Sequence, residues 1–340
     1  LRGQVMVKFL AKRILSLIFV VIGITLVVFI ATHCLPADPA RAAAGPSASK
    51  EQVEEKRVEL GLDRPLYVQY LDYMKGLAHF DMGKSYKSRQ PVTQEISSRL
   101  AATMELTVLS LVVFFIIALL MGSIAALKRN KIIDHVIRFF SVGSMAVPPY
   151  WLALLLQYFL FYKAQLLPSG YRLPAGVTGP DTVTGFYLLD SAIQGDWALF
   201  ALCAKHLLLP VLSLVIGYCG ITTRMMRTQL LQELRQDYIR TARSKGLRSS
   251  TVVFKHAFKN TLVPVITIIA MQLPTLIGGA LITETIFAWP GLGMLIYRGV
   301  ANLDMTVVQA GVMAVALITI VANLLSDIAY CLIDPTIRYQ

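Results

Sequence analysis

The sequence predicts an all-α polytopic membrane protein, on the strength of its composition, the length of its apolar runs and the placement of its charges. Of its 340 residues 56% are hydrophobic and only 15% charged, with a mean hydropathy of +0.61. Ordinary soluble domains do not show that balance. A bilayer core about 30 Å thick needs roughly 20 apolar residues in helix at about 1.5 Å each. Six stretches reach that length: 9–31, 104–127, 139–162, 197–224, 261–283 and 307–333. Basic residues in short loops stay on the cytoplasmic side at translocation, so they give each crossing its direction.

The first span follows Arg2, Lys8, Lys12 and Arg13, which places the N-terminus inside. Its apolar core is longer than the h-region of a cleaved signal peptide, so it reads as an uncleaved anchor. Residues 33–103 form a polar, charge-rich section outside the membrane and are expected to fold as a small subdomain between the first two spans. Within it residues 51–60 have helical character, ended by Gly61 with Pro65 shortly after, and a second helix is expected over 67–77. Gly83-Lys84-Ser85 imitates the end of a phosphate-binding loop, but the glycine required five residues earlier is Ala78. With no other Walker-type sequence in the chain, nucleotide use is expected to belong to another subunit.

The second span leads to Lys128-Arg129-Asn130-Lys131, a basic loop on the inside. The third contains Pro148-Pro149 and the fourth Pro210, while the fifth holds Pro264 and Pro274 beside Gly278-Gly279. Each internal proline removes a backbone bond, and the freed carbonyl needs protein or a watered cavity to satisfy it. Such breaks favour a bundle that moves or encloses a pathway. Glu105, Gln157, Gln272, Asn323 and Asp327 are polar groups inside apolar runs, where a central Asp costs about 2.5 to 3.5 kcal/mol on insertion scales, so they are expected to face the bundle interior. Of these Gln157, Gln272, Asn323 and Asp327 are the candidates for a polar pathway or for contacts between helices. The four cysteines and five histidines have no metal or redox spacing, and no nucleophile elbow is present, so neither catalysis nor a resident metal is expected.

Between the fourth and fifth spans the excess of basic residues is largest, from Arg224 to Lys259, and that loop is expected inside. The loops at 163–196 and 284–306 carry more acid than base and fit the outside, which puts both termini in the cytoplasm. The net charge of +12 is then accounted for by anionic headgroups, at about 1 kcal/mol per basic residue, without a nucleic-acid partner. An amphipathic helix is expected from Thr222 to about Lys245, with a turn at Gly246 and a second helix over 249–259 leading back to the membrane. A helix across the cytoplasmic face is a rigid lever, because force on it passes to both spans it joins.

These residues resemble the inner-membrane permease subunits of ATP-binding-cassette importers, in the dipeptide, oligopeptide and nickel family. Arg240-Thr241-Ala242-Arg243-Ser244-Lys245-Gly246, preceded by Asp237-Tyr238-Ile239, is similar to the family's E-A-A-x-x-x-G coupling loop. Leu35-Pro36-Ala37-Asp38-Pro39, Leu60-Gly61-Leu62-Asp63, the segment from Val183 to Asp190, the run from Thr283 to Gly293 and Asp334-Pro335-Thr336-Ile337-Arg338 resemble its other markers in the same order. Ala37 stands where the family usually has glycine, and Arg240 and Thr241 replace the Glu and first Ala of the general consensus, as the peptide subgroup does.

The resemblance implies a bacterial inner-membrane protein with a first helix at 1–32, the extracytoplasmic subdomain at 33–103 and a transmembrane domain at 104–340 holding the coupling loop at 225–260. It implies that Asp237, Tyr238, Arg240, Thr241, Ala242, Arg243, Lys245 and Gly246 meet a cytoplasmic ATPase. It makes Glu284, Trp289, Pro290, Gly291 and Gly293 an external signature. The expected partners are a second homologous permease, two ATP-binding subunits that carry ATP and Mg, an external substrate-binding protein and membrane lipid. No cofactor is expected on this chain. The alternative is an ATP-independent carrier or channel using Asp327 and Glu105 as ion-coupling carboxylates, which needs inverted repeats that the two halves do not show.

Overall fold

The protein is described by a computed structural model over residues 19–34, 38–45, 47–79 and 81–333. The basic residues of the N-terminus, the start of the first span, Leu35-Pro36-Ala37 and the Asp334-Pro335 ending lie outside the described residues. Among the described residues the chain is helical, with a lone antiparallel bridge between Lys84 and Pro91. It divides into two compact units, one made of the chain up to Thr103 with Pro290–Val321, the other of Met104–Trp289 with the chain from Ala322.

The first unit begins with α1 (Phe19–Cys34). Helix α2 (Pro39–Ala44) starts where the Asp38 carboxylate accepts from the Ala40 amide and Pro39 fills the first turn, a position where proline's missing N–H costs nothing. In α3 (Lys50–Glu59) Ser49 and Gln52 exchange side-chain and backbone bonds in a capping box. That helix stops as the sequence expects: Gly61 takes φ +68° while Gly61 and Leu62 donate back to the carbonyls of Val58 and Arg57, a Schellman cap. Helix α4 (Leu66–Ala78) follows Pro65, and Tyr70 and Tyr73 pack beside Phe29 of α1. The Gly83-Lys84-Ser85 turn is occupied by protein, because the Ser85 hydroxyl donates to the buried Asp304 carboxylate at 2.6 Å. Asp304 precedes α14 (Met305–Ile333), and Gln309 on that helix donates to Thr32 of α1 at 2.7 Å. Helix α13 (Leu292–Ala301) completes the unit.

Helix α5 (Val92–Leu127) starts three turns before the apolar run predicted from Met104, because Val92 and Ile96 are already buried. Beyond Thr103 it enters the second unit, with α6 (Ile132–Ala146), α7 (Pro149–Leu156), α8 (Tyr187–Gln194), α9 (Trp197–Glu233), α10 (Asp237–Ser244), α11 (Ser249–Thr251) and α12 (Phe258–Ile286). α9 is the axis of this unit, packed against α6, α7, α8 and α12. Gly220 on α9 lies so close to α6 that an added Cβ would stand 2.3 Å from the Ser141 carbonyl, and Gly279 on α12 meets the Tyr218 ring just as tightly. Gly278, next to it in the chain, faces open space.

Among the described residues four helical runs are long and apolar enough to cross a bilayer: Val92–Leu127, Trp197–Glu233, Ser249–Ile286 and Met305–Ile328. The third predicted span is not continuous. Pro148 and Pro149 deny the helix two successive N–H donors, and α6 and α7 meet at a bend of 110°. α7 then widens into a π-helical stretch at Gln157–Lys163. Val108, Val112, Ile116, Leu120, Ile124 and Leu127 lie on α5 at four- and three-residue steps, and all are exposed. A stripe of that length facing outward would aggregate in water and is at home in lipid.

Candidate coupling and pathway sites

The helix expected to run unbroken to Lys245 ends at Glu233, and a turn over 234–236 redirects the chain into α10. Tyr238 holds that turn: its hydroxyl donates to the Glu233 carboxylate at the end of α9 and accepts from Asn260 of α12 at 3.1 Å. Burial first, then the bond to Glu233, pushes the Tyr238 phenol above its ordinary range, so it stays a donor at neutral pH. Along α10 only Ile239 and Ala242 are buried, and they face the π-helical segment Val252–Ala257 that leads into α12. Asp237, Arg240, Thr241, Arg243, Lys245 and Gly246 are exposed together on the outer side. Gly246 takes φ +74°, with Gly246 and Leu247 donating to Arg243 and Ala242 in a second Schellman cap. A Cβ there would meet nothing within 4 Å, so the backbone angle, not crowding, selects glycine.

Gln157 and Gln272, two of the four polar candidates within the spans, are bonded to different partners. Gln157, at the start of the π-helical turn, donates to the Ser169 carbonyl at 2.7 Å and so fastens the following loop. Gln272 of α12 donates to the buried Thr222 hydroxyl of α9 at 2.6 Å, a tie between the two helices that flank α10. On α14 Asn323 is exposed and Asp327 half-buried. Between them the buried Ser326, which sequence reading passed over, donates to the Ala270 carbonyl of α12 at 2.6 Å. Ala270 stands four residues before Pro274, so this is the carbonyl that the proline leaves without its helical donor.

The signature run turns sharply as α12 ends. The Trp289 amide donates to the Glu284 carbonyl at 2.9 Å, and Ala288 takes φ +49°, a left-handed position unusual for a residue with a Cβ. Glu284 and Trp289 are buried in the second unit, and Gly291 and Gly293 are buried in the first, with Pro290 half-buried. Gly291 caps α13, and the Leu292 amide donates to Thr103 at 2.8 Å.

Two buried carboxylates organise the loop from α7 to α8. Glu105 accepts from Arg172 at 3.1 and 2.5 Å and from the Leu188 amide at 2.8 Å. The Arg172 guanidinium also donates to the Gly185 carbonyl and lies 3.5 Å over the Tyr187 ring. Asp190 accepts from the amides of Thr184 and Gly185 at 2.8 and 2.9 Å and from the Thr184 hydroxyl at 2.7 Å. Burial alone would raise its pKa, but these donors outweigh burial and lower it. His206 of α9 is bonded to the Gly170 carbonyl at 2.8 Å.

Comparison with known proteins decides between the readings. Residues 118–339 match the family described as binding-protein-dependent transport system inner membrane component, and residues 6–107 match that family's N-terminal region. The chain is 38% identical over 328 residues to the probable D,D-dipeptide transport system permease protein DdpB of Escherichia coli (strain K12), covering 96% of each. It is 38% identical to the dipeptide transport system permease protein DppB of Alkalihalophilus pseudofirmus, covering 98% of this chain and 100% of the relative. It is 35% identical to the glutathione transport system permease protein GsiC of Escherichia coli O6:H1, with the same coverage. The chain belongs to the binding-protein-dependent inner-membrane component family.

As a member of that family it is a multi-pass inner-membrane permease, a transport component that works with a substrate-binding protein and ATPase partners. In this permease the segments from Val183 to Asp190 and from Thr283 to Gly293 act as folding devices: a carboxylate cradled by its own loop, and a capped helix end. Sequence reading missed the Glu105–Arg172 pair, since the partners are far apart in the chain and Arg172 lies in a loop with no periodicity. It missed the pair between buried Asp134 and Arg227, at 2.7 and 2.8 Å, for the same reason.

Proposed function

We propose that this chain is the transmembrane permease subunit of an ATP-driven importer for short peptides or similar small solutes. It forms half of the translocation pathway, beside a second homologous permease. Two cytoplasmic ATPases carry the ATP and Mg, and this chain holds no cofactor of its own. In this reading the described part of α1, the broken pair α6–α7 and the four long helical runs make six crossings with both termini inside, and residues 33–103 form the extracytoplasmic subdomain. The peptide class is supported by the dipeptide permeases among its relatives, and GsiC keeps glutathione within the same chemical range.

The observation that carries the reading is the build of α10. It presents Asp237, Arg240, Thr241, Arg243 and Lys245 outward on a short helix tied by Tyr238 to both α9 and α12. An ATPase that seats this helix moves two spans at once. Closure of the ATPases would then switch access of the cavity, with Gln157, Gln272, Asn323 and Asp327 lining it or setting the helix contacts that change. Glu105 is committed to Arg172, which speaks against its use as an ion-coupling carboxylate in an ATP-independent carrier.

The test is affinity purification of the chain from its native membrane with mass spectrometry of what accompanies it. Two ATPases and a sister permease support the importer, and a lone homo-oligomer would sink it.

A further inference from the structure

Arg129 and Asn130 of the loop between α5 and α6, Arg138 of α6, and Arg227, Thr228 and Arg235 at the end of α9 surround a groove of about 350 Å³. Four guanidiniums share this groove, and the acids near them are already engaged. Asp134 is buried and accepts from Arg227 at 2.7 and 2.8 Å and from the Asn130 amide at 2.9 Å. Glu233 accepts from Tyr238. Arg227 gives Asp134 only two of its five N–H donors. Arg138 sits 3.5 Å from Asp134 and donates to His135 at 2.7 Å. No ion pair joins Arg129 or Arg235 to any carboxylate among the described residues. The groove therefore holds an excess of positive charge with planar donors free to converge on a tetrahedral anion.

Its apolar surroundings name the source of that anion. On α6, the helix that supplies Arg138, the side chains Ile132, Val136 and Phe139 are exposed at four- and three-residue steps, Ile132 and Phe139 each to 82%. Leu231 of α9 adds an apolar wall to the groove itself. A soluble anion has no use for such a stripe, whereas a lipid places its phosphate among the arginines and its acyl chains along α6. We propose that this groove binds the phosphodiester headgroup of an anionic phospholipid. Occupancy would brace the junction of α5, α6 and α9 beside the Asp134–Arg227 pair, just before the turn into α10. The proposal does not depend on the coupling reading.

The test uses the full chain purified in detergent, compared with Arg129→Gln/Arg235→Gln. Neither arginine contacts Asp134, so the variant keeps the ion pair that the fold uses. Retained phosphatidylglycerol and phosphatidylcholine are counted by native mass spectrometry, with inorganic phosphate followed in parallel by phosphorus NMR. Selective retention of phosphatidylglycerol that weakens about thirtyfold in the variant, from two charges at about 1 kcal/mol each, is the expected result. Arg129→Lys/Arg235→Lys should restore most of it. Equal retention of both lipids, or phosphatidylglycerol retention unchanged in the variant, overturns the proposal. Phosphate binding without lipid selectivity overturns the lipid assignment in favour of a free anion. A variant that keeps its lipid but loses a co-purifying protein would assign the groove to a protein contact instead.

Discussion

Ser326 and Pro274 should behave as a coupled pair in a double-mutant cycle. Proline at 274 cannot donate to Ala270, and the Ser326 hydroxyl supplies that carbonyl from α14 at 2.6 Å. The same hydroxyl lies 2.8 Å from its own Ala322 carbonyl, which the Ser326 amide can serve in any case, so the single hydroxyl proton matters chiefly at Ala270. Ser326→Ala therefore leaves a buried carbonyl without a donor, at a cost of about 1–2 kcal/mol. In a Pro274→Ala background the new amide donates to Ala270, and the cost of Ser326→Ala should fall below about 0.5 kcal/mol. Unfolding of the four purified variants by a denaturing detergent in mixed micelles gives the coupling energy. An equal cost for Ser326→Ala with proline or alanine at 274 would refute the compensation and leave Ser326 as simple packing.

If α10 is where the ATPase seats, Gly246→Arg at its end should abolish uptake with membrane insertion intact, while Gly246→Ala, which adds only left-handed strain of about 1–2 kcal/mol in open space, should retain much of it; both are read by substrate uptake in cells beside membrane abundance. Glu105→Ala strands Arg172 in a buried site and should cost about 3–5 kcal/mol, visible as loss of folded chain from the membrane, whereas replacing both partners by apolar residues of similar size should recover most of it. Asp190 has a folded-state pKa below its unfolded value near 3.9, so its contribution is present above that pH and lost as pH falls through the folded value; the stability gap between wild type and Asp190→Asn, followed by unfolding against pH, should be constant from about pH 5 to 7 and close below about pH 4. A gap that widens in acid would contradict the cradle.

Sequence made the apolar runs, the Gly61 and Gly246 helix ends and the basic segment between α9 and α12 legible, because each depends on short-range features: run length, a residue that tolerates positive φ, and local charge. Pro148-Pro149 was visible as a disturbance, but proline chemistry states only that a donor is missing. The 110° bend comes from where the chain goes next, as α7 packs on α9 and α12. The expected continuity from Thr222 to Lys245 failed because helix propensity runs smoothly through Leu234-Arg235-Gln236. Beyond that turn Tyr238 meets Asn260, more than twenty positions away, a contact no local propensity announces. The same limit hid the donor for Ala270: a serine in an apolar run is ordinary until its position opposite a proline gap is known.

The two ends of α9 are held in different ways, and the difference bears on how force would travel. His206, near its start, belongs to the region fixed by the Glu105–Arg172 pair, the Asp190 cradle and the buried Phe287, where each element is secured by several buried bonds. Roughly 40 Å further along the helix path, at about 1.5 Å per residue, α10 is secured by two buried side chains, Ile239 and Ala242, and by the hydroxyl of Tyr238. Burying Ile239 is worth about 1.5–3 kcal/mol and the hydroxyl bonds about 1 kcal/mol or somewhat more, since one engages a carboxylate. A partner on the exposed face of α10 need prefer the displaced helix over the docked one by only about 3–4 kcal/mol to overcome that hold. Displacement should therefore begin at α10 and pass into α9 and α12 through Tyr238, while the end built around Glu105 and Arg172 stays fixed and serves as the pivot.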